Sequence, residues 1–194
     1  MKYGSLTIGM TIHCWICLPQ PEVQERRIKK SRIHPGYSVD INGIQAFHDI
    51  GIILLDEPVN ITEFVQPIDI GNLDPLSPGT IYGFGSINAT EQEIPDTLRS
   101  REMEVIDDIT CTLILRETKY KVTKECQNFC ISTASCWGDS GGPFVQNNKL
   151  VGINSWAADD ILGCKTEPGM LVRVTDYYEW IHESIEDMRN EELK

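Results

Sequence analysis

Basic residues are scarce in this chain: 17 Lys and Arg stand against 29 Asp and Glu, a formal net charge of −12. That excess argues against nucleic acid or an anionic membrane surface as a partner. Long apolar runs are missing as well. No stretch of about 18 apolar residues occurs, so nothing reads as a membrane span. Histidine is rare, with four in 194 residues, which restricts imidazole chemistry to His13, His34, His48 and His182. Cysteine spacing of the metal-binding kind is incomplete. Cys14 and Cys17 form one C-x-x-C pair and no second pair follows, which excludes the usual zinc pattern. No internal repeat and no cofactor motif is evident, so no cofactor and no metal are expected.

What is present fits one globular domain over residues 1–194. Hydrophobic residues make up 41% and charged residues 24%, ordinary for such a fold. Short strand-type segments recur between Gly, Pro and Asn. They are "QERRIKKSRI" (24–33), an exposed strand with poor alternation, and "IGIILL" (50–55), an apolar run that reads as a buried strand. "GTIYGFG", "LRSREMEVI", "KLVGINSW" and "GMLVRV" follow in the same style, with a turn at Asn147–Asn148. The pattern predicts an antiparallel barrel or sandwich. A short helix is predicted around "DDITCTLIL". A C-terminal helix is predicted with Asp176 as N-cap and Glu179 completing a capping box. Tyr177, Ile181, Ser184, Ile185 and Met188 share one face of it, which puts His182 on a flank. Residues 187–194 read as an acidic tail.

The string "SCWGDSGGPF" (135–144) raises the question of chemistry. A serine hydroxyl is a poor nucleophile until a base takes its proton and donors stabilise the oxyanion. Glycines around it allow a tight turn and leave room for a carbonyl to approach backbone N–H groups. A chance serine in a glycine-rich turn is the plain alternative, and the length of the string counts against it. The string also fits the G-x-S-x-G nucleophile elbow, which needs a helix directly after the serine. "GGPFVQNNKLVGINSW" offers Pro143, a turn and strand-type residues instead, so the elbow is rejected.

"CWGDSGGPF", followed by "LVGINSW", "GC" and "PGMLVRV", resembles the chymotrypsin-like serine proteases. Upstream, "RIHPGY", "HDIGIILLDEPV" and "VQPIDI" resemble the segment that carries that family's catalytic aspartate. The likeness runs from about Gln24 to Ile185. It implies an all-β fold of two antiparallel six-stranded-type barrels with a C-terminal α-helix, the first barrel incomplete. It implies a serine endopeptidase working through an acyl-enzyme, with Ser140 as nucleophile, Asp49 as orienting acid and the Gly138 and Ser140 N–H groups as oxyanion hole. His13 in "MTIHCW" is the match for the base, since His34 and His48 fall at non-catalytic positions. The same N-terminal stretch also reads as a signal peptide, which on cleavage would remove His13.

The resemblance further implies disulfides Cys111–Cys130 and Cys136–Cys164, and with them an oxidising, extracellular setting. Cys14, Cys17 and Cys126 stay unassigned. Gln146 stands where the family often has a cysteine, and Asp69 replaces one that tethers a propiece in many relatives. Asp139 corresponds to the acid that pairs with a freed N-terminal amine. No Ile-Val-Gly-Gly-type start is present, so an unpaired Asp139 is expected to turn away and leave this chain a poor catalyst by itself. Ala134 at the base of the specificity pocket, with walls Ser155, Trp156, Ala157 and Gly169, implies preference for a large apolar side chain. Asn60 and Asn88 are glycosylation sequons. The partners implied are protein or peptide substrates and protein inhibitors, acting on a monomer. The rival reading is an inactive secreted homologue that binds or regulates.

Overall fold

The computed structural model describes residues 5–8 (backbone only), 24–40, 45–86, 95–115, 128–133, 135–157 and 168–191. Five strands lie in the first third: β1 (Ser5–Ile8), β2 (Gln24–Ile33), β3 (Ser38–Val39), β4 (Ala46–Phe47) and β5 (Gly51–Leu55). β1, β2 and β5 form a three-stranded antiparallel sheet in that order, and β3 pairs with β4. The register puts Ile8 opposite Gln24 and Gly51 opposite Ile33, at opposite ends of β2.

Two expectations for this sheet need correction. β2 alternates cleanly between half-buried and exposed positions, because its apparently unpatterned cations split between the two faces. Lys30 and Arg32 turn inward and pair with Glu191 and Asp187 near the C-terminus, while Arg27 and Lys29 face solvent. β5 is only partly buried, with Ile53 42% exposed. An apolar run alone does not say how many faces of a strand are covered.

The second unit is one curled sheet. It holds β6 (Gly79–Gly83), β7 (Arg99–Met103), β8 (Val105–Ile106), β9 (Asn128–Ile131), β10 (Pro143–Gln146), β11 (Lys149–Ala157) and β12 (Gly169–Arg173). Their order is β7-β6-β10-β11-β12-β9-β8. The two edge strands β7 and β8 are separated in the chain by Glu104 alone. The sheet must therefore bend until its edges approach, which leaves few open edges. Its interior is filled by Ile81, Met103, Phe129, Ile131, Phe144, Val151 and Leu171. Phe129 meets Phe144 edge-to-face at 5.5 Å, a favoured geometry for aromatic quadrupoles.

β10 and β11 are joined at Asn147 (φ 49°) and Asn148 (φ 61°), the paired positive φ that a two-residue hairpin turn needs and that asparagine tolerates. Gln146, 3% exposed, then bonds across 72 residues of sequence. Its Nε2 donates to the carbonyls of Asp74 (2.9 Å) and Ser77 (2.7 Å), and its Oε1 accepts the Asp74 N–H (3.0 Å).

α1 (Asp108–Leu115) starts where Asp107 accepts the N–H groups of Ile109 and Thr110, both at 3.0 Å, satisfying two orphan donors. It carries Cys111, fully buried, onto Cys130 of β9. The two form a disulfide with Cα atoms 6.2 Å apart. α2 (Tyr178–Asn190) follows a 3-10 turn, Val174–Tyr177. The expected Asp176 N-cap is not made: Asp176 lies inside that turn, and α2 has no side-chain cap bond. The 3-10 turn supplies the backbone bonds that a cap would otherwise replace. The apolar face is as the spacing predicts, with Tyr177, Ser184 and Met188 buried and Ile181 and Ile185 half-buried.

Candidate active site

Ser140 follows one tight turn and begins another. The Asp139 N–H donates to the Cys136 carbonyl (3.0 Å), and the Gly142 N–H donates to the Asp139 carbonyl (2.9 Å). Ser140 is exposed. Gly138 has φ +96°, where a side chain would be strained, so the glycine before Asp139 is a backbone requirement. Beyond the serine, the Gly141 N–H donates to Asn154 O (2.8 Å) and the Asn154 N–H donates to Gly142 O (2.9 Å). The serine turn therefore hangs on β11. Among the described residues, the N–H groups of Gly138 and Ser140 meet no acceptor.

Asp49 is held by the same strand. It is the middle residue of a three-residue turn closed by the Ile50 N–H on the His48 carbonyl (2.8 Å). Its Oδ2 accepts the Ser155 hydroxyl at 2.7 Å. Ser155 can reach it because β11 bulges there. The register on β12 passes from Asn154↔Leu171 to Trp156↔Met170, leaving Ser155 unpaired. A bulge bends a strand and re-aims one side chain. Sequence reasoning placed Ser155 only in the pocket wall. Its bond to Asp49 was not legible, because nothing in "NSWA" marks a bulge.

Asp139 is paired. Its Oδ1 accepts the Gly85 N–H (2.8 Å) and its Oδ2 the Cys136 N–H (3.0 Å). The expectation for Asp139 concerned a freed N-terminal amine; among the described residues, two backbone donors converge on the carboxylate instead. "GFG" makes that possible: a Cβ on Gly83 or Gly85 would overlap the Asp139 carboxylate.

The pocket residues fall on neighbouring strands. Gly169 sits opposite Ala157 of β11 on one side and Ile131 of β9 on the other. Trp156 packs with Ala46, Cys111, Leu115, Cys130 and Met170. Ala134, His13, Cys14, Cys17, Asn88, Cys126 and Cys164 lie outside the described residues. Cys136 is disulfide-bonded, to a residue also outside them. Asn60 is exposed. The remaining histidines are occupied elsewhere. His34 stacks on His48 at 4.8 Å, His48 Nδ1 is 3.0 Å from the Tyr177 hydroxyl, and His182 lies on an exposed flank against Tyr178. No metal-binding cluster is found among the described residues, and no described helix is long and apolar enough to cross a membrane.

The curled antiparallel sheet, bearing an exposed serine on a glycine turn and the strand that holds Asp49, has the fold of the trypsin class. The trypsin family profile matches residues 9–181, and the chain belongs to that family. It is 31% identical over 172 residues to kallikrein-8 of Mus musculus, covering 87% of this chain and 64% of that protein. It is 31% identical over 172 residues to kallikrein-11 of Homo sapiens, covering 84% and 58%. A solved structure titled neuropsin, a serine protease expressed in the limbic system of mouse brain, superposes with a TM-score of 0.73 at 29% identity, covering 84% of this chain and 73% of that one. The chain thus spans somewhat under two thirds of the length of those curated relatives.

Proposed function

We propose that this protein is a serine endopeptidase in which Ser140 attacks the scissile carbonyl to form an acyl-enzyme. The Gly138 and Ser140 N–H groups receive the oxyanion, and Asp49 orients the base. The observation that carries this reading is that Asn154 and Ser155, consecutive on β11, hold the serine turn and the Asp49 carboxylate respectively. Both anchors lie on one strand, which supports a preorganised spacing of nucleophile and acid.

His13, which lies outside the described residues, is the base that its sequence context supports, and His13→Ala is expected to abolish Ser140 labelling.

Cleavage after Phe, Tyr, Leu or Met is the specificity that Ala134 and the small residues Ala157 and Gly169 favour. The disulfides favour an extracellular setting, in which Asn60 is open to glycosylation and protein or peptide substrates and protein inhibitors are the partners of a monomer. The test is Ser140-dependent labelling by a fluorophosphonate, with peptide-library cleavage, on the protein extended to the length of its relatives. Labelling and cleavage lost in Ser140→Ala are expected. Cleavage mainly after Lys or Arg would overturn the pocket assignment. A full-length protein with no Ser140-dependent reaction would be the binding or regulatory homologue instead.

A further inference from the structure

Beside Asp49 stands a cluster that the proposed chemistry does not use. His48 precedes Asp49 and has φ 49°, a left-handed conformation that costs a non-glycine residue energy and persists only where its surroundings enforce it. Three contacts do so. The His48 ring reaches the Tyr177 hydroxyl through Nδ1 at 3.0 Å. The His34 ring stacks on it, centroids 4.8 Å apart and planes 17° from parallel. The His34 backbone N–H donates to Ile50 O at 3.0 Å, on the other side of Asp49. Tyr177 and Trp180 close the cluster edge-on against His34, at 5.2 and 5.0 Å. A side chain at Gly36 would crowd His48 Cδ2 at 2.9 Å, so that turn has no slack either.

We propose that His48 is a positioning residue for the Asp49 carboxylate, and that its stack on His34 makes that positioning respond to protonation. This rests on the reading of Asp49 as the orienting acid. The two imidazoles differ in how they can take a proton. His48 Nδ1 can keep its bond to Tyr177 in either state, because the hydroxyl both donates and accepts. His34 Nδ1 accepts the Gly36 N–H at 3.1 Å, so a proton there breaks that bond. It would also place two like charges face to face. Burial, and then the neighbouring His48, hold His34 below the ordinary histidine value of 6.5.

The groups around the pair do not neutralise such a charge. From the end of β2 the pair presents His34 itself. From the 3-10 turn it is faced by Tyr177, from α2 by the uncharged Trp180, and on its own segment by Asp49 next in the chain. Among the described residues no carboxylate, lysine or arginine forms an ion pair with either ring. As pH falls through the histidine range, the second proton is therefore relieved by separating the rings. That movement is transmitted to the turn 48–50, which carries Asp49.

The test uses the 194-residue chain and two readouts. The first is the carbon NMR shift of the Asp49 carboxylate, followed with the imidazole shifts from pH 8 to pH 5. Asp49 is expected to show an inflection where His34 titrates. That inflection should vanish in His34→Asn, and in His48→Asn the His34 titration should move up toward the ordinary histidine value. The second is the Ser140 labelling rate. The ratio of His34→Asn to wild type is expected to rise about tenfold between pH 8 and pH 5.5, a size in keeping with a sub-ångström displacement of the acid. An Asp49 signal with no inflection at the His34 titration, or a His34 titration unchanged by His48→Asn, would overturn the proposal. Absence of labelling at every pH from the protein extended to the length of its relatives would count against the hydrolase reading, while the Asp49 signal would still decide this one.

Discussion

Replacing Asp139 by asparagine tests how the serine turn is held. The carboxylate receives two backbone N–H groups, from Gly85 at 2.8 Å and Cys136 at 3.0 Å. Each is a bond to a charged acceptor, worth about 1.5–3 kcal/mol net. Asparagine keeps one acceptor oxygen and turns an NH2 toward the other N–H. One bond is lost outright, a donor is left facing a donor, and the surviving bond loses its charge. Because the two bonds share one side chain they will not add, and about 2–3 kcal/mol is the expected loss. For a protein of this size that lowers Tm by about 4–12 °C. The assay is thermal unfolding followed by circular dichroism, with Asp187→Asn as control. Asp187 is 65% exposed in its ion pair with Arg32, and such pairs contribute about 0–1 kcal/mol. A Tm for Asp139→Asn within about 1 °C of that control would refute the argument that these two bonds hold the turn.

Ser155→Ala removes the hydroxyl on Asp49 and is expected to cost about 1.5 kcal/mol. It should also slow Ser140 labelling, which a fluorophosphonate time course would record. Cys111→Ser with Cys130→Ser opens a loop of 19 residues, worth about 3 kcal/mol; a urea midpoint unchanged from wild type would contradict this. Asp176 gives a pH signature. Its carboxyl is pushed above the ordinary value of 3.8 by burial, with Arg173 acting the other way. The folded state thus binds this proton more tightly than the unfolded chain. The resulting penalty is absent below the ordinary value, grows through the raised one and is full above it. Asp176→Asn is expected to raise Tm at pH 7 and to give no gain at pH 3, checked by melting curves at both.

Much of this architecture is legible in the sequence because its signals are local. "NN" between two strand-type runs announces a hairpin, and the spacing of Tyr177, Ser184 and Met188 announces the buried face of α2. The glycines around Ser140 announce a tight turn. What stayed hidden depends on register and on distant partners. The bulge at Ser155 exists only relative to β12. The pairing of Asp139 requires Gly85, 54 residues earlier, and "GFG" reads as a loop until an approaching carboxylate explains it. The inward turn of Lys30 and Arg32 depends on acids more than 150 residues away.

Gln146 has a consequence for the unfolded chain. A covalent bridge stabilises a fold largely by shrinking the denatured ensemble, so part of its effect is felt when the protein is not folded. The amide of Gln146 ties β10 to the segment Asp74–Ser77 only while the structure stands. Once it lets go, the intervening chain expands freely. A reducing agent, which would cut Cys111 from Cys130, leaves this tether intact, so the hairpin behind Ser140 keeps its anchor whatever the redox state around it.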